Sequence, residues 1–411
     1  MAGVSPITAD NQRRLFEKTK ARFCLPEGLI YLDGNSLGPL PKGVAERIGR
    51  TVEQEWGERL IRAWNDAAWI DLPSKVGDRI AGLIGAEPGT VMVADSTSIN
   101  LYKALAAALK LSPERRIILS DNGNFPTDIY VAQGLIGGLD RDYELKIVEP
   151  EEVGEALDEN IAVLMLTEVD YRTGRLHDMK ALTSVAHAVG ALTIWDLAHS
   201  AGALPVDLDG CHADFAVGCG YKYLNGGPGA PAFIYVRPDH AGTLEPDLSG
   251  WMGHATPFAF DLDYHPAEGS GRMRVGTPPV LSLAALDTAL DVWDDVDIGM
   301  VRQESIALSA LFIDEVERRC AGLGLTLASP RAPEARGSQV SFRFQEGYAS
   351  MQALIANDVI GDFRAPDLMR FGITPLYLSE TEIIAAAERI EAVLKDRLWD
   401  RPEFKRRAKV T

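Results

Sequence analysis

Cysteine is scarce in this chain of 411 residues: Cys24, Cys211, Cys219 and Cys320 are scattered, with no CxxC pair and no zinc-ligand spacing. A disulfide scaffold is thereby excluded, and a chain this long does not need one, since it can bury the interiors of two domains. With no signal peptide preceding the cysteines, a reducing cytoplasm is expected. Basic residues are also in deficit, 41 Lys and Arg against 59 Asp and Glu, and the net charge of -18 argues against a nucleic-acid surface. Long apolar runs are missing too. Even Ile161 to Leu166 ends in Thr167 and Glu168, far short of a membrane span, so no membrane partner is expected. His177, His187 and His212 form no HExxH or other metal-ligand spacing, and no GxSxG elbow is present. No basic helix-turn-helix precedes Tyr31, which leaves little room for a DNA-binding sensor.

What the chain does have is rhythm. A helix is expected from about Asp10 to Arg22 and a short strand at Leu29 to Leu32, followed by a turn dense in Gly, Asn and Pro from Asp33 to Pro39. Helical periodicity runs through Val44 to Leu60 and Val76 to Ile84. Short apolar runs then alternate with helical patterns: Val91 to Ala94, Arg116 to Ser120, Leu145 to Val148, Ile161 to Leu166, Leu192 to Asp196, Phe215 to Val217 and Phe233 to Val236. Strands this apolar are expected to be covered on both faces. The pattern predicts an α/β fold with a mainly parallel sheet, and the last runs, which lack intervening helices, predict some antiparallel pairing. Helices at Leu281 to Val292 and Val301 to Cys320 lead into a region of short strands, with Gln339 to Phe344 and a terminal helix near Glu382 to Leu398. The division expected is an N-terminal segment, 1–60, packing with a small α+β domain, 296–411, around a large domain, 61–295. The basic tail Lys405 to Lys409 reads as frayed.

The richest chemistry lies around two residues. Asp196 ends a predicted strand in Trp195-Asp196-Leu197-Ala198-His199, and Lys222 follows the next one in Tyr221-Lys222-Tyr223-Leu224-Asn225-Gly226-Gly227. A carboxylate at a strand end can keep a pyridine nitrogen protonated, making the ring an electron sink, while a lysine can form an imine to an aldehyde. Taken singly, Asp196 reads as a helix cap and Lys222 as a solvated charge. Together, with the lysine between tyrosines and ahead of closely packed glycines, they point to a cofactor. Thr97 and Ser98 open a predicted helix where an anion could bind, although an ordinary cap would look the same. Phe125 and Asp128, in Asn124-Phe125-Pro126-Thr127-Asp128, suit either a ring platform with a second carboxylate or a hydrophobic staple. His199 suits a hydrogen bond to the cofactor's phenolic oxygen or a satisfied core position.

These residues resemble the kynureninase family, a class V branch of the fold type I pyridoxal phosphate enzymes. The likeness spans nearly everything from Tyr31 onward, through Tyr31-Leu-Asp-Gly-Asn-Ser-Leu-Gly-Pro39, Phe125-Pro-Thr-Asp128, Asp196-Leu-Ala-His199, Gly220-Tyr-Lys-Tyr-Leu-Asn-Gly-Gly227, Gly250-Trp-Met-Gly253 and Arg370-Phe-Gly-Ile-Thr-Pro-Leu-Tyr377. The resemblance implies pyridoxal 5'-phosphate bound through Lys222, with Asp196 at the pyridine nitrogen and Phe125 stacked on the ring. It implies Thr97, Ser98 and Tyr221 on the phosphate side and Thr167, Asp128 and His199 around the ring. Trp251 and Thr277 match positions that reach the phosphate from a neighbouring subunit, so a homodimer with shared sites is implied. Arg370 matches the arginine that grips the substrate's α-carboxylate, with Asn35, Trp64 and Gly276 on the substrate side; the Gly276-Thr277 pair fits a kynurenine-preferring pattern.

The reaction so implied is hydrolysis of L-kynurenine to anthranilate and L-alanine, a step of tryptophan breakdown, with Lys222 as anchor and base and Tyr221 as proton shuttle. The rival in the same class is a cysteine desulfurase-like lyase or a transaminase, and a non-catalytic cofactor-binding protein is the alternative outside it. Two features oppose a desulfurase: Tyr221 stands where that group places a histidine, and Cys320 sits in a helical pattern rather than a mobile loop.

Overall fold

The computed structural model describes residues 16–139 and 141–407. Most of the helix expected from Asp10 therefore lies outside the described residues; 16–20 are helical and the chain turns at 21–22. Strand β1 (Ile30–Tyr31) pairs in parallel with a segment more than three hundred residues later, and Leu32 bonds the same segment through Ile360 O at 2.7 Å. Helix α1 (Val44–Arg50) continues into wider π-helical turns, Thr51–Glu58, so the single helix expected to Leu60 changes pitch midway. Glu55, buried there, pairs with Arg47 at 2.6 Å and accepts from Trp69 Nε1 at 2.8 Å.

Seven strands build the main sheet: β2 (Val91–Val93), β3 (Ile117–Asp121), β4 (Glu144–Val148), β5 (Ile161–Thr167), β6 (Leu192–Asp196), β7 (Phe215–Cys219) and β8 (Ala232–Val236), in the order β2-β8-β7-β6-β5-β3-β4. From β7 to β4 the neighbours are parallel; β8 runs antiparallel to both β7 and β2. Helices cover both faces, as the apolar runs predict, and every residue of β5 is buried. The edge strand β4 departs from that expectation, because it has a neighbour on one side only and leaves Ile147 44% exposed.

Helix α2 (Leu72–Leu83) starts one turn earlier than its periodicity suggests, with Pro73 where the missing N–H costs nothing. Helix α3 (Thr97–Leu111) lies on β7 and β8, its buried Ala104, Ala106, Ala107 and Ala108 letting it close on the sheet. Helices α4 (Pro126–Gly138), α5 (Met179–Ala188) and α6 (Val280–Ala289) complete the layers. Beyond them α7 (Ile298–Arg319), α8 (Gly347–Ile355) and α9 (Glu380–Lys395) pack with a four-stranded antiparallel sheet. That sheet comprises β9 (Thr326–Leu327), β10 (Gln339–Arg343), β12 (Asp362–Arg364) and β13 (Leu368–Gly372), while β11 (Val359–Ile360) is the partner of β1. The tail expected to fray forms a further turn of helix at Pro402–Lys405, anchored by Lys405 on Asp400; 408–411 lie outside the described residues. Among the described residues no helix is long and apolar enough to cross a membrane.

Candidate active site

Parallel strands deliver their C-terminal ends to one edge of the sheet, where an α/β fold places its ligands. Here β3 leads to Asn124 and Phe125, β5 ends in Thr167, β6 ends in Asp196 ahead of His199, and β7 leads through Gly220 to Tyr221 and Lys222. Lys222 Nζ lies 2.9 Å from His199 Nε2 and 5.8 Å from the centre of the Tyr221 ring. The glycine-rich turn before α1 explains its composition at this point. Gly38 donates its N–H to Tyr221 O at 2.8 Å, and a Cβ there would fall 2.4 Å from Lys222 O.

Asp196 and Asp128 form a buried carboxyl pair whose surroundings differ. Burial pushes both up. Asp128 rises well above the carboxylate range, because the charge of Asp196 adds to its burial. For Asp196 the burial is opposed by Lys222, by the Ala198 N–H at 2.7 Å and by a hydrogen bond from Asp128. Asp196, with Lys222 and the Ala198 N–H to offset its burial, is raised less than Asp128. Burial, with the charges of Lys222, Arg370 and Arg364, holds His199 well below its ordinary value, so it is neutral and can accept from the Lys222 ammonium. Burial, reinforced by Cys219 and Asp196, raises the Tyr221 phenol, which keeps its proton. Thr167 Oγ1 points back to Asp196 O at 3.4 Å.

Phe125 caps α4 while keeping its ring 39% exposed, edge-on to Tyr171 with centroids 5.0 Å apart. Buried Asn124 holds it there, accepting the Phe125 N–H at 2.7 Å and donating to Ser120 Oγ at 3.0 Å. Thr97 and Ser98 occupy the first turn of α3 behind the cap Ser96. Lys103, fully buried in that helix, pairs with Asp95 at 2.7 Å and donates to Met273 O at 2.7 Å, which ties the start of α3 to the segment leading to Gly276 and Thr277. Nothing in the sequence marks Lys103 out, since a lysine in an amphipathic pattern reads as solvated.

On the other side, β12 and β13 pair Asp362 opposite Arg370. Arg370 is 1% exposed, and it gives Nε (2.6 Å) and Nη2 to the two oxygens of Asp362. It also donates to Ser36 Oγ at 3.1 Å and, through Nη1, to Tyr171 O. Arg370 is thus neither a surface pair nor an open fork. Asn35, fully buried, donates to Gln339 Oε1 at 3.1 Å. Burial beside Asp362 pushes the Asp33 carboxyl up to about 7.

Trp64, Trp251, Gly276 and Thr277 stand apart. No hydrogen bond or ring contact joins them to Lys222, Asp196 or His199 among the described residues. Trp64 meets Trp69 edge-on at 5.8 Å, and Trp251, 41% exposed, follows Gly250, which packs against Val275 O. Beside Gly276 and Thr277 lies an apolar cavity of about 460 Å³ lined by Trp56, Trp69 and Pro278 to Ser282.

The cluster fits the cofactor that the sequence implies. Asp128 Oδ2 and His199 Nδ1 are buried without a hydrogen-bond partner, and Phe125 is left exposed on the strand-end side that also carries Lys222 and Asp196. The thiol of Cys320, by contrast, is buried at the end of α7 and pushed up to about 11 by burial, then by Glu391, a poor nucleophile.

Residues 301–390 match a family model described as the kynureninase C-terminal domain. The chain is 51% identical over 397 residues to a kynureninase of Burkholderia pseudomallei strain 1106a and 50% identical over 397 residues to one of Pseudomonas fluorescens, in each case with 95% of both chains covered. Among solved structures it resembles a cysteine desulfurase from Thermococcus onnurineus NA1, with a TM-score of 0.76 at 19% identity over 92% of this chain and 98% of that one. It also resembles a C-DES variant with glycine covalently linked to the PLP cofactor, at a TM-score of 0.75, 20% identity and the same coverage. At such identities the structures establish the fold alone.

Proposed function

The chain belongs to the kynureninase family and is a pyridoxal phosphate enzyme that hydrolyses L-kynurenine to anthranilate and L-alanine; from that premise we propose how its own residues divide the work. The observation that carries the proposal is the meeting of Lys222 Nζ with His199 Nε2 at 2.9 Å, at the end of the sheet where the neighbouring strand β6 ends in Asp196.

Bound pyridoxal phosphate supplies an aldehyde for amines and a ring that accepts electrons. Lys222 would hold that aldehyde, Asp196 would keep the ring nitrogen protonated, and Phe125 would cover one face. Thr97, Ser98 and Tyr221 would take the phosphate at the start of α3, where unpaired N–H groups favour an anion. Thr167, Asp128 and His199 would close the shell. The Lys222 amine, when free, would be the base for the α-proton, and His199 can accept a hydrogen bond from it at Nε2. Water then adds to the side-chain ketone, and anthranilate leaves. The carbon left behind needs a proton, and the Tyr221 phenol, still protonated, is the donor we favour. Arg370 would orient the α-carboxylate, with Trp64 and Gly276 at the aromatic end and Asn35, bonded to Gln339, on the substrate side.

We further propose a homodimer in which Trp251 and Thr277 reach the partner's phosphate, and a division into 1–60, 61–295 and 296–411. The free cysteines suit a cytoplasmic enzyme. Absorbance and fluorescence of the purified protein with kynurenine test the central reading. A visible cofactor band beforehand, anthranilate and alanine afterwards, and neither product from Lys222→Ala are expected. A band without anthranilate would reject kynurenine as substrate, and no band after adding cofactor would reject the whole assignment of roles.

A further inference from the structure

Between β5 and α5 the chain makes a tight turn at 170–175. Val169 and Leu176 pair across it, the Asp170 N–H donates to Arg175 O at 2.8 Å and the Gly174 N–H donates to Asp170 O at 2.8 Å. Asp170 Oδ1 accepts the N–H groups of Arg172 and Thr173 at 2.6 and 3.0 Å. An aspartate that bonds its own backbone two residues on closes such a turn locally, and this fixes the place of Tyr171.

The four-stranded sheet and its flanks hold the outside of the turn. Gln339 Nε2 donates to Tyr171 O and Arg172 O at 3.1 and 3.2 Å, Ser341 Oγ to Arg172 O at 2.6 Å, Ser329 Oγ to Thr173 O at 2.5 Å and the Gly337 N–H to Gly174 O at 2.7 Å. Arg370 Nη1 adds a bond to Tyr171 O. On the other side, the Tyr171 ring meets Phe125 with centroids 5.0 Å apart and planes at 83°, and Arg172 Nη2 donates to Asn122 O at 2.9 Å in the loop that leads to Phe125. Edge-to-face rings attract in that arrangement and repel when stacked squarely, so the Tyr171 ring sets the tilt of Phe125 as well as filling space.

We infer that Tyr171 is a positioning residue for the reaction: its ring fixes Phe125 over the cofactor, and its carbonyl ties that ring to Arg370, so one residue of the turn aligns the cofactor's face with the substrate's carboxylate site. The ring does this, not the hydroxyl, and phenylalanine serves in its place. The inference rests on the reading of Phe125 as the ring that covers the cofactor.

The test compares the holoenzymes of wild type, Tyr171→Leu, Tyr171→Phe, Phe125→Leu and the double variant. The readouts are the dissociation constant for pyridoxal phosphate, the circular dichroism of the visible band, and KM and kcat for kynurenine per bound cofactor. Tyr171→Leu should hold pyridoxal phosphate about 2- to 10-fold less tightly. It should change the dichroism and lower kcat by more than it raises KM, because the carbonyl that Arg370 uses survives the substitution. Tyr171→Phe should recover all three. The double variant should lose no more than Phe125→Leu alone, since two substitutions within one contact do not add. Additive losses, or a Tyr171→Leu enzyme that matches wild type while Phe125→Leu does not, would overturn the role of Tyr171 and leave that of Phe125 standing. Unchanged affinity and dichroism in Phe125→Leu would instead reject the stacking of Phe125, and the inference with it. If Tyr171→Leu does not fold, Tyr171→Met carries the same comparison.

Discussion

Glu168 follows Thr167 at the end of β5 and is buried, with Oε2 lacking a partner. Burial raises its carboxyl to about 7, and neighbouring Ser200 and Arg302 offset only part of the effect. In the unfolded chain the same group titrates near the ordinary glutamate value, about 4.3. Below that value both states hold the proton and nothing is lost. Between it and about 7 the unfolded chain releases a proton that the folded chain retains, so stability falls as pH rises and levels off above 7, by about 4 kcal/mol in all. Glu168→Gln removes the titration. Urea unfolding should find the variant gaining on wild type between pH 5 and pH 8, and a difference that does not change with pH would show that this acid is not held neutral by the fold.

At the scale of elements, the turn from Asp33 to Pro39 works as a wedge between the Lys222 loop and β13. Gly38 meets Lys222 O and the Asn225 backbone, and Gly34 meets the Tyr377 hydroxyl, each closer than a Cβ permits. Gly38→Ala should cost about 1 to 3 kcal/mol, because backbone rather than a flexible side chain must yield, and should weaken cofactor retention by shifting Lys222. Gly82→Ala in α2 has nothing within 4 Å of the new methyl and should instead stabilise by about 0.5 to 1 kcal/mol. Thermal melts and cofactor content after gel filtration separate the two; equal behaviour would remove the wedge from the account.

For the whole molecule, the apolar groups left at the surface have a direction. Trp56 is 58% exposed, Trp251 41% and Leu281 41%, and they surround the cavity beside Gly276 and Thr277 or the loop that abuts it. A second copy covering this face would bury them and bring Trp251 and Thr277 toward the other Lys222. Light scattering should return twice the chain mass. Mixing inactive Lys222→Ala with a variant crippled at Thr277 should restore activity, since hybrids then contain one site with neither defect. A monomer at working concentration, or mixtures that stay inactive, would refute shared sites.

Local physics made much of this readable in one dimension. Alternating apolar runs and helical periods are short-range signals, so the parallel sheet, the antiparallel β8 and the Asp196 and Lys222 pair at neighbouring strand ends followed from the amino-acid order alone. Pitch changes and edge exposure did not, because the π turns after α1 and the open flank of β4 depend on what packs against them. Nor did the upward shift of the Asp128 carboxyl, the downward shift of His199 or the burial of Lys103. Those are set by desolvation and by charges brought close from distant parts of the chain. The sharpest case is Arg370: its motif marked it as a carboxylate binder, yet only the register of β12 on β13 revealed that its Nε and Nη2 are held by Asp362, a carboxylate it shares with Arg364. Sequence order names the groups a site can draw on. Which of their donors are already spent is decided by long-range packing, because a hydrogen bond is satisfied by whatever the fold brings within reach.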